Sequence, residues 1–288
     1  MGKGNDFRKL LKENEYLVLP GAYDCLSAQI IESLGFSAID ITGFGIEYAR
    51  LGQPDLGLST QTEVVDQCGN IAGSVSIPVI ADADTGFGGV LNVWRTVREL
   101  EMAGVAGMHM EDQTMPKKCG NLKGKELISK EDMCAKIRAA KDAADEFFII
   151  ARCDGRRFGT DEVKRRLHSY LDAGADMAML GDDYPIEELR DMAAEFRNNL
   201  YLVVAVFPSD FMCLPAAEYA AMGFKCISYP IVALNAAALA IKNSYEHIKE
   251  HGGISEAELT ARTMHLREME EIVHMKRWQK IETDFGGQ

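Results

Sequence analysis

The sequence predicts an α/β protein of the (β/α)8 class, a TIM barrel, and two observations carry that expectation. Short apolar runs alternate with longer helical patterns, and eight such runs can be counted. Several helix-like stretches also end in the same way, with a glycine placed where a left-handed cap is needed and a strand beginning at once. Continuous apolar strands separated by helices indicate a parallel sheet covered on its outer face. Eight units favour closure over an open doubly wound sheet. No Gly-x-Gly-x-x-Gly opens a helix near the start, which counts against a dinucleotide fold.

In chain order the predicted strands are 17–20, 38–41, 79–83, 107–111, 148–153, 177–180, 200–206 and 225–228. Helical patterns follow at 90–103, 130–144, 161–173, 186–196 and 214–222. The capped ends read Ser33-Leu34-Gly35-Phe36, Ala103-Gly104-Val105, Asp172-Ala173-Gly174-Ala175 and Ala221-Met222-Gly223-Phe224. After the eighth strand come an Ala-rich helix and two charged segments, 255–265 and 267–280. The chain thus reads as one barrel domain over 1–288, with a helical extension from about 231 to 288. Two readings of that extension stand side by side: a cap on the barrel, or an arm that packs on a neighbouring subunit.

Bulk composition narrows the function classes. The 288 residues carry 31 Lys and Arg against 44 Asp and Glu, a net charge of −13. That balance repels phosphate backbones and anionic headgroups, so neither nucleic acid nor membrane is expected as a partner. A small anionic substrate is still compatible with it. The seven cysteines include no Cys-x-x-Cys, and their number is odd, so a disulfide framework is not expected. With no apolar leader near the N-terminus and no long apolar run, the sequence predicts a cytoplasmic protein.

In a barrel of this kind chemistry belongs at the C-terminal strand ends, and four of these carry unusual residues. Ala81-Asp82-Ala83-Asp84 runs into the turn Thr85-Gly86-Phe87-Gly88-Gly89. Two carboxylates so close are unfavourable unless they share a cation, and oxygen ligands suit Mg²⁺. The plainer reading is a turn that caps the next helix. Glu111 and Asp112 end the fourth strand; Glu111 could complete the outer shell of an ion. His109 lies deeper and reads as a hydrogen-bonded core histidine. The loop 114–125 is long, basic and punctuated by glycine, the composition of a lid. Within it Cys119 follows Lys117 and Lys118, whose charge would favour thiolate; an ordinary surface cysteine is the alternative. Arg152 ends the fifth strand, either to clamp a substrate carboxylate or to pair with a barrel acid.

Together these segments are similar to the isocitrate lyase/phosphoenolpyruvate mutase superfamily, in its 2-methylisocitrate lyase and 2,3-dimethylmalate lyase-like branch. The stretches that match are Leu19-Pro20-Gly21-Ala22-Tyr23-Asp24, Thr42-Gly43-Phe44-Gly45, Gly52-Gln53-Pro54-Asp55-Leu56-Gly57, the Asp82/Asp84 turn, Glu111-Asp112-Gln113, Pro116-Lys117-Lys118-Cys119-Gly120 and Ala151-Arg152-Cys153-Asp154. Ala173-Gly174-Ala175-Asp176 extends the match over essentially the whole barrel. The resemblance implies an enzyme that uses Mg²⁺, with Mn²⁺ as an alternative ion. It places the metal on Asp84, with Asp82, Asp55 and Glu111 as direct or water-mediated ligands. It places a 2-oxo acid or substituted malate against Tyr23, Thr42, Gly43, Phe44, Asp55, Gly120, Asn121 and Arg152. It assigns catalytic roles to Cys119, Lys117, Glu111 and Arg152, with Cys119 on a gating loop. It also implies a homodimer or homotetramer that swaps the last barrel helix.

Three departures shape the expected substrate. Asn121 stands where the lyases read His after Cys-Gly. Strand six ends Leu180-Gly181-Asp182-Asp183-Tyr184 where an acid followed by Ala-Pro is usual. Ala205 is followed by Val206 and Phe207, where an Asn is usual. Polar groups are lost on the distal side, so an alkyl-substituted malate is expected, cleaved to a 2-oxo acid such as pyruvate through an enolate. A carboxyphosphonoenolpyruvate-type phosphonomutase, an oxaloacetate hydrolase or decarboxylase, and a non-catalytic oxo-acid-binding protein are the alternatives.

Overall fold

The computed structural model describes residues 2–119, 122–144, 146–204 and 214–286. Within them the expected strands form: β1 (Leu17–Ala22), β2 (Ile39–Ile41), β3 (Val79–Asp82), β4 (Gly107–Glu111), β5 (Phe148–Cys153), β6 (Met177–Leu180), β7 (Leu200–Val203) and β8 (Cys226–Tyr229). They pair in chain order, and β8 returns to β1 in parallel with Leu17 opposite Cys226 and Leu19 opposite Ser228. The sheet is a closed barrel, as the sequence predicts. Val206 and Phe207, at the end of the predicted seventh strand, lie outside the described residues.

Helices surround the barrel: α1 (Lys3–Glu13), α2 (Cys25–Ser33), α3 (Gly43–Ile46), α4 (Gln61–Ser74), α5 (Val90–Met102), α6 (Lys130–Ala143), α7 (Thr160–Asp172), α8 (Ile186–Glu195) and α9 (Ala216–Met222). Side chains fix several of their starts. Asp24 accepts the Ser27 amide and Thr60 the Glu63 amide, each inside a reciprocal capping box. Gly35, Gly104 and Gly174 end their helices with φ of +86°, +86° and +109°, the conformation the sequence assigned to them.

Strand alternation sorts the core into two regions. Leu17, Leu19, Ala38, Ile80, Phe148, Ile150, Met177, Met179, Tyr201 and Cys226 fill the barrel interior. Their neighbours, such as Ile39, Ala81, Met108, Ile149 and Leu202, face the helices. Helix α1, which the sequence reading did not predict, packs against the interior cluster: Phe7 is fully buried, edge-on to Phe148 at 5.0 Å. The 3–4 spacing of Phe7, Leu10 and Leu11 was the available signal.

After β8 the chain continues through α10 (Val232–His251), α11 (Glu256–Arg262), α12 (Leu266–Ile272) and α13 (Met275–Phe285). None of the four contains a buried residue. Leu239, Ile241 and Tyr245 on α10 are all more than half exposed. No helix among the described residues is long and apolar enough to cross a membrane.

One buried acid ties the barrel to its helices. Asp112, directly after β4, accepts Tyr170 Oη at 2.7 Å, Arg166 Nη1 at 3.1 Å and the Asp154 amide at 2.9 Å. It joins β4 to the end of β5 and to α7. Removing one partner of a buried ion pair leaves an uncompensated charge, which typically costs about 3–5 kcal/mol. Asp112→Ala should therefore destabilise the protein by about 3 kcal/mol or more in urea unfolding; an unchanged midpoint would show that the contact is structurally dispensable.

Candidate active site

The same alternation that fills the interior with apolar side chains delivers polar ones at the C-terminal ends of the strands. On β2 the inward series Ala38, Asp40 leads to Thr42; on β3 it is Ile80, Asp82; on β4, His109, Glu111; on β5, Phe148, Ile150, Arg152. Asp40, Thr42, Asp82, His109 and Arg152 line a cleft with about 80 Å³ of free volume. Phe44 joins them from α3, Asp55, Lys117 and Cys119 join from loops, and Met179, Leu180, Val203 and Ile231 make an apolar wall.

Because β3 ends at Asp82, Asp84 is placed by the turn that follows and not by strand alternation. Asp84 has φ +46° and Phe87 +59°, left-handed values that non-glycine residues rarely adopt. The strained turn is held by Gly86 N–H on Ala83 O at 2.8 Å and Glu111 N–H on Asp84 O at 2.8 Å. Asp82 braces it: Oδ1 accepts the Asp84 amide at 3.0 Å and Oδ2 the Gly43 amide at 3.2 Å. Thr42 Oγ1 accepts the Gly45 amide at 3.2 Å, which starts α3 at the cleft wall.

Asp55 reaches the cleft because of a residue the sequence reading missed. Glu47, 1% exposed in the π-helical turn Glu47–Leu51, accepts the amides of Leu56 at 3.0 Å, Leu58 at 2.7 Å and Ser59 at 3.0 Å. Its carboxylate thereby folds the loop that carries Asp55. A buried acid answered by nearby amides leaves no sequence motif.

The charges interlock. Lys117, 4% exposed, places its ammonium against Asp55 and 2.8 Å from Asp84 Oδ1. Burial pushes the Asp84 carboxyl up to about 6; Lys117 opposes this, while Asp82 and Asp55 add to it. Burial works against ionised Asp82, but His109, Lys117 and Arg152 hold its carboxyl below the usual range. Burial also raises Glu111 well above the usual range, despite Arg152. His109 is buried between acids, with Nδ1 3.5 Å from Asp82 and Nε2 3.3 Å from Asp40, and these raise its pKa against the opposing effect of burial. It is the enclosed histidine the sequence suggested, yet it also lines the cleft. Asp40, which the sequence reading passed over, further accepts Ser228 Oγ.

Arg152 does not extend its fork into open space. Nε and Nη2 bind Asp154 at 2.9 and 3.0 Å, and Nη1 lies 3.1 Å from Glu111. The plainer of the two sequence readings, a pair with barrel acids, describes what its guanidinium does. Gly181 makes room: a Cβ there would come 2.5 Å from Asp154 Oδ2 and 2.7 Å from Arg152 Nε. Tyr23 is absent from the cleft lining; its carbonyl accepts Gln67 Nε2 at 3.0 Å, and its Cβ packs on Gly45. Gly120 and Asn121 lie outside the described residues. The ammonium of Lys118 is turned to the Gly124 carbonyl at 2.8 Å.

Among the described residues no three His, Cys, Asp or Glu side chains form a ready metal cage. The donors here still fit Mg²⁺, which binds through one or two carboxylates and keeps several waters. Asp55 and Asp84 already hold one cation, the Lys117 ammonium, and burial still keeps the Asp84 carboxyl above the usual carboxylate range.

Comparison with known proteins agrees with this geometry. Residues 7–249 match the phosphoenolpyruvate phosphomutase family. The 2,3-dimethylmalate lyase of Eubacterium barkeri is 41% identical over 252 residues, 86% of this chain and 87% of that one. The solved structure of oxaloacetate acetylhydrolase with 3,3-difluorooxalacetate superimposes with a TM-score of 0.91 at 31% identity, covering 99% of this chain and 98% of that one. Phosphonopyruvate hydrolase, solved with oxalate and Mg²⁺, gives 0.87 at 31% identity, covering 99% of each chain. By fold, by the acids gathered at its strand ends and by sequence, the chain belongs to the phosphoenolpyruvate mutase/isocitrate lyase superfamily.

Proposed function

We propose that the protein is a carbon–carbon lyase that cleaves an alkyl-substituted malate, of the 2,3-dimethylmalate type, to a 2-oxo acid such as pyruvate. The observation that carries this reading is the meeting of Lys117 and Cys119, two residues apart on one loop, with the strand-end acids in a single small cleft. The 41% identity to a 2,3-dimethylmalate lyase supports it. Met179, Leu180, Val203 and Ile231 offer apolar contact to an alkyl group, and Asp182 and Asp183, which line the same cleft, disfavour a further carboxylate.

In this reading the substrate's hydroxyl proton leaves to a base, the bond between C2 and C3 breaks, and C2 becomes the carbonyl carbon of the 2-oxo acid. The electron pair passes to C3 as an enolate, and the Cys119 thiol supplies the proton that C3 takes up. Thr42, Gly43 and Phe44 frame the oxo-acid end. Lys117 holds Asp55 and Asp84 together at the wall. Arg152 fixes Glu111 and Asp154 rather than the substrate itself. Asp84 and Asp82, with Asp55 and Glu111 behind them, would hold Mg²⁺ or Mn²⁺. That ion, when bound, supplies positive charge for the oxygen that becomes negative. The exposed apolar residues of α10 support an assembly of two or four copies in which this helix lies on a neighbour.

With Mg²⁺ present, 2,3-dimethylmalate should yield pyruvate, and EDTA should stop it. If oxalate from oxaloacetate is the only product seen, the protein is a hydrolase; a ³¹P signal moving between C–P and P–O environments would make it a mutase. Cys119→Ser should lower kcat by about a hundredfold or more while oxalate still binds; turnover at the native rate would remove Cys119 from the reaction. Asp84→Ala should weaken Mn²⁺ binding by roughly 10- to 100-fold, read by electron spin resonance. Undiminished Mn²⁺ affinity would take the metal away from this turn.

A further inference from the structure

The segment between β4 and α6 leaves and rejoins the barrel through a closed neck. Thr114 N–H donates to Glu126 O at 2.7 Å, and Gln113 bridges antiparallel to Leu127. Beyond that neck the lysines divide the work: Lys117 enters the acid pair, Lys118 braces the segment internally, and Lys125 reaches back to the barrel.

Lys125 is 6% exposed. Its ammonium lies 3.0 Å from Asp154 Oδ1 and also contacts Asp182. These acids follow two different strands, β5 and β6. Asp154 is fixed independently of Lys125, since its amide donates to Asp112 and its carboxylate takes the Arg152 fork. Asp182 also accepts the Arg156 amide at 3.2 Å. Both acids are thus rigid points on the barrel rim, and Lys125 is the group on the segment that spans them. Gly181 lies between the strand and Asp182, and its missing side chain leaves the Arg152–Asp154 fork in place for Lys125 to join. Asp182, directly after Gly181, is thus turned toward the loop.

We propose that Lys125 is a positioning residue that clamps the Cys119-bearing segment over the cleft by bridging Asp154 and Asp182. Without its ammonium, Asp182 and the neighbouring Asp183 would lose one of the cations that offset them, and the segment would keep its holds through Lys117 and the Cys119 amide on Asp55 but lose the one on the far side of the cleft. The kinetic importance of the clamp rests on the lyase reading, but its existence does not.

The test therefore begins without substrate. Alkylation of Cys119 by iodoacetamide would be followed by peptide mass spectrometry, with the fully buried Cys226 as internal reference. Lys125→Met should speed Cys119 alkylation by about tenfold, and Asp182→Asn, which breaks the same bridge from the other side, should act in the same direction. Lys125→Arg should return the rate toward the native value. Loss of a nearby positive charge alone would slow the reaction, because thiolate would be disfavoured, so faster alkylation reports release of the segment. An unchanged Cys119 rate in either folded variant, or a parallel rise at Cys226, would overturn the proposal. If Lys125→Met does not fold, Asp182→Asn decides alone. With 2,3-dimethylmalate the released segment should lower kcat. A native protein that does not turn this substrate over would sink the lyase reading and leave the alkylation result standing.

Discussion

Burial of carboxylates at the strand ends is the constraint around which the rest of this barrel is arranged. Asp40, Asp84, Glu111 and Asp154 are buried, and Asp82 keeps only a small exposed edge on the cleft. A charged acid taken out of water is costly unless it is paired or hydrogen-bonded. Each here has a specific answer: His109 between Asp40 and Asp82, Lys117 on Asp84, Arg152 between Glu111 and Asp154, Lys125 on Asp154. Two of those cations, Lys117 and Lys125, come from a loop rather than from the barrel. The loop is therefore part of what makes the buried acids tolerable, and the acids are what hold the loop down.

Local structure serves the same end. The left-handed backbone at Asp84 is unfavourable on its own, and the amide contacts around it over-determine it. Asp82 accepts two of those amides, so it both braces the turn and lines the cleft. Glu47 does for Asp55 what Asp82 does for Asp84: a buried carboxylate gathers backbone amides and so aims a second acid. A substitution at either bracing acid should thus act on chemistry through backbone position.

The barrel was legible because its signals are local and periodic. Apolar runs such as Ile149 to Ala151, and glycines such as Gly104 and Gly174 at helix ends, state their role within a few residues. The motifs that end β3, β4 and β5 were legible as well, since the side-chain period fixes which residues face inward. Partnership over distance was not. Glu47 meets its amides only once the π-helical turn has formed, Lys125 lies 29 and 57 positions from its two acids, and Asp40 faces His109 across the sheet. The role of Arg152 was left open for the same reason: an arginine at a strand end reads alike whether a substrate or a buried Asp154 receives it.

The buried acids divide by how burial and neighbouring charge balance. Asp82, facing His109, Lys117 and Arg152, and Asp154, facing Arg152 and Lys125, are held below the ordinary carboxylate range. Asp84 and Glu111 are not; burial wins, and their pKa values rise although Lys117 and Arg152 touch them. The balance between burial and neighbouring positive charge thus differs between the two pairs of acids. Asp84 and Glu111 are joined through the backbone by the bond from the Glu111 amide to the Asp84 carbonyl, and they stand behind the residues that line the cleft. A site that served only packing would lose little by replacing these acids with amides or apolar residues. Two buried acids linked through the backbone and set on a strained turn are the kind of oxygen donors that the divalent ion proposed above would use.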